Sequence, residues 1–86
     1  MQVSADSREL WATVKKTVSH MSPYPIHVDE DLRQVKASYD SGTVYVQVET
    51  FDINESTLRV RATKYGLRSG DLANEVQRRI IRELEL

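Results

Sequence analysis

The chain has 86 residues and no cysteine, so it is one small domain stabilised by neither a disulfide nor a cysteine-rich metal site. Twelve basic residues against thirteen acidic give a net charge of −1, which argues against dependence on a polyanion. No apolar run approaches a membrane span, and Met1 to Ser7 has neither the charge nor the apolar core of a signal peptide. The charge is unevenly placed: Met1 to Ser56 carries five basic and nine acidic residues, and Thr57 to Leu86 seven and four.

In chain order, Met1 to Ala5 reads either as a frayed end or as a short edge strand through Val3. Asp6 followed by Glu9 has the spacing of a capping box, so a helix should start here. Leu10, Val14, Val18 and Met21 recur every three or four residues with Trp11 beside them, and this stripe must face the rest of the protein. Arg8, Glu9, Lys15, Lys16 and Ser19 are left to water. Pro23 and Pro25 end the helix, because a proline disfavours helical geometry in the residue before it.

Ile26 and Val28 alternate around His27 and run into the acidic cluster Asp29, Glu30 and Asp31. Val35, Ala37 and Tyr39 then alternate with Gln34, Lys36 and Ser38. One bulged strand, or two strands joined by a turn, fits this pattern. From Lys36 to Tyr65 the alternation continues through Val44, Val46 and Val48 and again through Leu58, Val60 and Ala62, which predicts antiparallel hairpins. Asp40, Ser41 and Gly42 close the first, and Asp52 to Ser56 the second. Gly66 supplies backbone freedom at a strand end, and Ser69 or Asp71 is the N-cap of a last helix. Its stripe is Leu72, Ala73, Val76, Ile80 and Leu84, widened by Ile81, with Arg78, Arg79, Arg82 and Glu83 outside.

These elements predict a single α+β domain over residues 1–86, a two-layer sandwich of order (β)-α-β-β-β-α. Its antiparallel sheet has three or four strands, and both helices pack on the face carrying Val35, Ala37, Val44, Val46, Val48, Leu58, Val60 and Ala62. The other face carries Lys36, Ser38, Tyr45, Gln47, Glu49, Arg59, Arg61 and Thr63, polar enough to stand in water. Tyr45, Gln47, Arg59 and Arg61 are the candidate binding residues there, because aromatic and guanidinium groups recur at binding sites. Cross-strand pairing of Glu49 with an arginine is the plain structural alternative. Pro25 and the acidic turn blunt one sheet edge, which leaves a monomer or a weak dimer through an edge strand.

Catalytic signatures are absent from this pattern. His20 and His27 lack the i, i+4 spacing of a helical metal pair. Asp29, Glu30 and Asp31 are consecutive, so their carboxylates diverge, and the alternating ligands and glycine of a calcium loop are missing. Ser41 sits in a hairpin turn rather than a strand-turn-helix elbow. Asn54-Glu55-Ser56 matches a glycosylation sequon, a pattern frequent by chance in loops. The expectation is therefore a non-enzymatic chain with no catalytic residue, metal ligand or cofactor.

Leu10-Trp11-Ala12 in an early helix, the run Thr57-Leu58-Arg59-Val60-Arg61, and Gly66 with Gly70-Asp71 before an Ile80-Ile81 helix carry a resemblance over nearly the whole chain. With these residues the chain resembles a family of small bacterial envelope proteins of uncharacterised function, often lipoproteins. The resemblance implies a periplasmic or envelope-associated domain, with no known catalytic residues and a protein or envelope component as partner. The lipid-accepting cysteine of such lipoproteins is missing from this sequence, so anchoring is not implied for it, and a cytoplasmic location is the alternative.

Helix, three-stranded meander and helix is also the order of double-stranded-RNA-binding domains. Those domains grip phosphates at the N-terminus of the last helix. Here that position reads Arg68-Ser69-Gly70-Asp71-Leu72, and one arginine beside an aspartate is a poor clamp. Arg78, Arg79 and Arg82 lie further along, where they meet the C-terminal dipole. A non-catalytic binding or structural module of the bacterial envelope is thus the leading expectation, with nucleic-acid binding the lesser one.

Overall fold

The structure, a computed structural model, describes residues 1–85. Its elements are β1 (Gln2–Val3), α1 (Ser7–Met21), β2 (His27–Asp29), β3 (Gln34–Tyr39), β4 (Gly42–Asp52), β5 (Glu55–Lys64), β6 (Leu67–Arg68) and α2 (Gly70–Glu85). All strand pairs are antiparallel, in the order β1-β5-β4-β3-β2, and β6 also pairs with β5. The sheet therefore has six strands rather than three or four.

The extra strands have local causes. His27–Asp29 is a strand of its own, because the chain turns back through residues 30–33 with Arg33 at a φ of 50°. Asp29 belongs to that strand, and its Oδ1 accepts the Leu32 N–H at 3.1 Å to hold the turn. β6 exists because Tyr65 and Gly66, at φ 54° and 79°, form a two-residue turn that sets Leu67 opposite Lys64. Val3 does form an edge strand, opposite Ser56.

Two hairpin loops are tighter than the sequence pattern suggests. Asp40 and Ser41 alone connect β3 to β4, both with positive φ, and Gly42 already lies in β4 opposite Tyr39 and Lys64. Ser56 is not a loop residue: it is fully buried in β5, and its Oγ donates to the Ala5 carbonyl at 2.8 Å. The connection is short because β4 runs on to Asp52, absorbing Phe51 as a bulge between Thr50 and Asp52.

Both helices seat their apolar stripes on the valine-rich face. Leu10, Val14 and Val18 of α1 and Leu72, Val76 and Ile80 of α2 share one core with Val35, Val44, Val46, Val48 and Leu58. Asp6 caps α1, its side chain accepting from the Arg8 N–H at 2.8 Å, while Glu9 adds a first-turn anion. The Asp6 carboxyl is held below the ordinary aspartate value, chiefly by that backbone bond. Ser69 caps α2, its Oγ accepting from the Leu72 N–H at 3.3 Å. No helix among the described residues is long and apolar enough to cross a membrane.

Gly42 is fixed by packing rather than by turn geometry. A Cβ there would lie 2.6 Å from Leu72 Cδ2 and 2.6 Å from the Thr63 carbonyl oxygen, and the latter, being backbone, yields little. Gly42→Ala should therefore cost about 1–3 kcal/mol through overpacking. Urea denaturation measures this; an unchanged midpoint would mean that α2 does not press on β4 through Leu72.

Candidate functional site

The register of the strands turns the outer face of the sheet into transverse rows. His27 lies opposite Lys36, Lys36 opposite Tyr45, and Tyr45 opposite Arg61, so one row crosses from β2 to β5. The neighbouring row reads Asp29, Gln34, Gln47 and Arg59. Tyr45, Gln47, Arg59 and Arg61 thus form a contiguous square on adjacent strands, about 5 Å apart across the sheet.

Tyr45 is the centre of this square. Lys36 Nζ stands 5.8 Å from its ring centroid on one side and Arg61 Cζ 5.5 Å on the other. Such contacts contribute about 0.5–1 kcal/mol at exposed sites. Arg59 behaves differently, with its Nε 3.6 Å from Glu49 Oε1. The expected pairing of Glu49 with an arginine is therefore present, but it engages Arg59 and leaves Arg61 without a carboxylate among the described residues. Lys36 likewise has none.

Sequence reasoning left Lys36 and Arg68 out of the binding set. Arg68 reaches the face because β6 places it opposite Thr63, beside the Tyr45 row. The signal for it was the Tyr65-Gly66 pair between two extended stretches, a hairpin turn signature. Cavities of about 490 Å³ and 570 Å³ both have Tyr45 and Arg61 in their walls, and the second reaches Arg68 and Ser69.

Of the acidic cluster, Asp29 stays in the outer row opposite Gln34, while Glu30 is drawn away from this face. Glu30 accepts the Trp11 indole N–H at 2.9 Å through Oε2 and the Lys15 ammonium at 2.9 Å through Oε1, with Lys15 also 5.3 Å from the Trp11 ring. This clasp ties the β2–β3 turn to α1 and satisfies the one polar atom of a buried tryptophan. His20 lies in the last turn of α1 and His27 starts β2, on separate elements. No group of three or more His, Asp and Glu side chains gathers at metal-binding distance among the described residues. Comparison of the chain with models of protein families, with curated proteins and with solved structures finds no match.

The indole and ammonium bonds hold the Glu30 carboxyl below the ordinary glutamate value, the indole bond first, against a smaller opposing effect of burial. Because the folded-state value is depressed, the clasp is fully present above the ordinary glutamate value and is lost as pH falls through the folded-state one. The Trp11 indole N–H resonance should therefore titrate below the ordinary glutamate range, and Glu30→Gln should abolish that step. An indole resonance flat from neutral to about pH 2 would place the bond elsewhere.

The square itself should contribute little to stability. Arg59→Ala with Arg61→Ala removes an exposed ion pair and one cation–π contact, together about 1 kcal/mol or less. A thermal melt tests this, and a loss of several kcal/mol would mean that the guanidinium groups hold the fold rather than stand ready for a ligand.

Proposed function

We propose that this protein is a non-catalytic binding module that holds an acidic segment of a partner protein on the open face of its sheet. The observation that carries this reading is the Tyr45 ring flanked by Lys36 and Arg61, neither of which has a carboxylate within salt-bridge distance among the described residues. Among the described residues Arg8 pairs with Asp6, Lys15 with Glu30, Lys64 with Asp40 and Arg79 with Glu83, while Lys16, Arg33, Arg68, Arg78 and Arg82 form no ion pair. What sets Lys36 and Arg61 apart is that two unpaired cations flank one ring. A chain of net charge −1 thus presents a face with Lys36, Arg59, Arg61 and Arg68 against Asp29 and Glu49. Electrostatic complementarity of this kind steers an acidic partner and fixes its register.

The two-layer arrangement supports the reading, because placing both helices on the valine face leaves the Tyr45 face free for a ligand. The module belongs in the bacterial cell envelope in this proposal, a placement supported by the resemblance of Leu10-Trp11-Ala12 and Thr57–Arg61 to envelope domains. A duplex-RNA ligand fits the geometry less well: Asp71 occupies the first turn of α2 beside Arg68 and opposes a phosphate there.

An NMR titration of labelled protein with poly-L-glutamate at two salt concentrations tests the proposal. Shifts should cluster at Tyr45, Gln47, Arg59 and Arg61 and weaken as salt rises. A short RNA duplex, run in parallel, should leave these resonances in place. Shifts confined to Arg68 and the start of α2, produced by RNA and not by polyglutamate, would overturn the proposal in favour of nucleic acid. So would silence from both ligands, in favour of neither.

A further inference from the structure

The outer edge of β5 is covered in two places and bare between them. Met1 donates to the Leu58 carbonyl at 3.0 Å and accepts the Leu58 N–H at 2.8 Å, and β1 continues opposite Thr57 and Ser56. At the other end β6 lies opposite Lys64 and Thr63, and the Ser69 N–H donates to the Ala62 carbonyl at 2.9 Å. Among the described residues, no strand lies beside Arg59, Val60 and Arg61 on this side.

Alternation in an antiparallel ladder says which backbone groups are left there. Leu58 and Ala62 bond outward, so Val60, midway between them, also points its N–H and C=O outward, while Arg59 and Arg61 bond inward to Gln47 and Tyr45. The gap therefore offers one donor and one acceptor from a single residue, the requirement of one hydrogen-bonded pair with an added strand. The cavities confirm that this edge is open: the one of about 490 Å³ is walled by Arg59 and Gln47 of the outer face and by Gln77 of α2. The one of about 570 Å³ is walled by Arg61 and Tyr45 and by Ala73 of α2. A concavity can collect residues from both faces of a sheet only where it wraps around an uncovered edge, and both meet at Val60.

Resting on the open-face reading above, we propose that Arg59-Val60-Arg61 is a strand-addition site for a short extended partner segment of acidic-apolar-acidic pattern. Its central residue exchanges two backbone hydrogen bonds with Val60. Side chains opposite Arg59 and Arg61 then fall on the outer face beside the two guanidinium groups, which selects carboxylates at those positions. The side chain opposite Val60 falls on the helix side, next to Ala73 and Gln77, which selects a small apolar residue. The pairings of β1 at one end and of Ser69 at the other flank this stretch, so about three residues, roughly 10 Å of extended chain, enter the sheet. The opposite edge does not serve: β2 is preceded by Pro25 and runs into Asp29, Glu30 and Asp31, which repel an acidic strand.

The test uses the whole protein and three blocked peptides: acetyl-Glu-Val-Glu-amide, its Glu-Pro-Glu analogue, and Lys-Val-Lys. The first should slow exchange of the Val60 amide proton by about tenfold near saturation and shift Tyr45, Arg59 and Arg61. The proline analogue carries the same charge but lacks the central N–H, and it should bind about tenfold more weakly, as loss of a backbone hydrogen bond predicts. The lysine peptide should not bind. If Glu-Val-Glu and Glu-Pro-Glu bind equally and Val60 is unmoved, or if polyglutamate perturbs the face while no tripeptide does, the strand-addition site is wrong and the open-face reading survives. If neither tripeptide nor polyglutamate perturbs the face, both fall. A Val60 shift that depends on protein concentration without peptide would assign the edge to a second copy of the chain and overturn the proposal.

Discussion

The pairing of β4 with β5 is the constraint on which the other elements depend. It sets Val44 beside Ala62, Val46 beside Val60 and Val48 beside Leu58 on one face, and Tyr45 beside Arg61 and Gln47 beside Arg59 on the other. A one-residue slip would exchange these faces, placing guanidinium groups against both helices and valines in water. A lone hairpin is marginal in water, and helices of 15 and 16 residues are marginal alone, so each becomes stable only when the valine face is covered.

Tight turns carry part of the cost of this arrangement. Asp40, Ser41, Tyr65 and Arg33 all sit at positive φ without being glycine, each an unfavourable conformation for a residue with a Cβ. Local contacts offset the strain at two of these turns. Lys64 Nζ bonds Asp40 Oδ2 at 3.2 Å across the first hairpin end, and Arg33 donates to Ser7 Oγ at 2.6 Å while its carbonyl accepts the Val48 N–H at 3.0 Å. Ser7 also receives Thr50 at 3.0 Å, so the start of α1, the β2–β3 turn and the far end of β4 are joined at one buried hydroxyl. Together with the Trp11–Glu30–Lys15 clasp, this fixes β2 and leaves the Tyr45 rows in register.

The same arrangement separates the charges by function. Asp6, Glu30 and Asp40 are occupied by neighbouring cations or by the indole of Trp11, whereas the outer face keeps Lys36 and Arg61 against a ring instead of paired. Stacking holds a guanidinium in place without neutralising it, so the charge stays available to a ligand. Beside this face, β5 changes from a paired strand to an open edge and back within a few residues, and its side chains and its free backbone groups address the same concave surface.

Residues whose roles follow from their own periodicity were legible in the sequence. The stripes of α1 and α2, the valine face, the outward Tyr45, Gln47, Arg59 and Arg61, and the Asp6 cap all follow from periods of 3.6 and 2 or from a side chain meeting its own backbone. Glu30 was legible only as an anion in a turn, because its partners Trp11 and Lys15 lie far back in the chain. Ser56 looked like loop because a serine near Asp52 and Asn54 has turn composition, and only its distant bond to Ala5 makes it core. Gly42 looked like a turn residue until Leu72 came down on it. The sequence by itself determined the apolar and polar faces of the regular strands and helices, since side-chain direction along a strand or helix is a local property. Only the tertiary structure decided that β1 and β6 both come to rest on β5 and leave Val60 uncovered between them, since the choice of hydrogen-bonding neighbour depends on where distant segments return to the sheet.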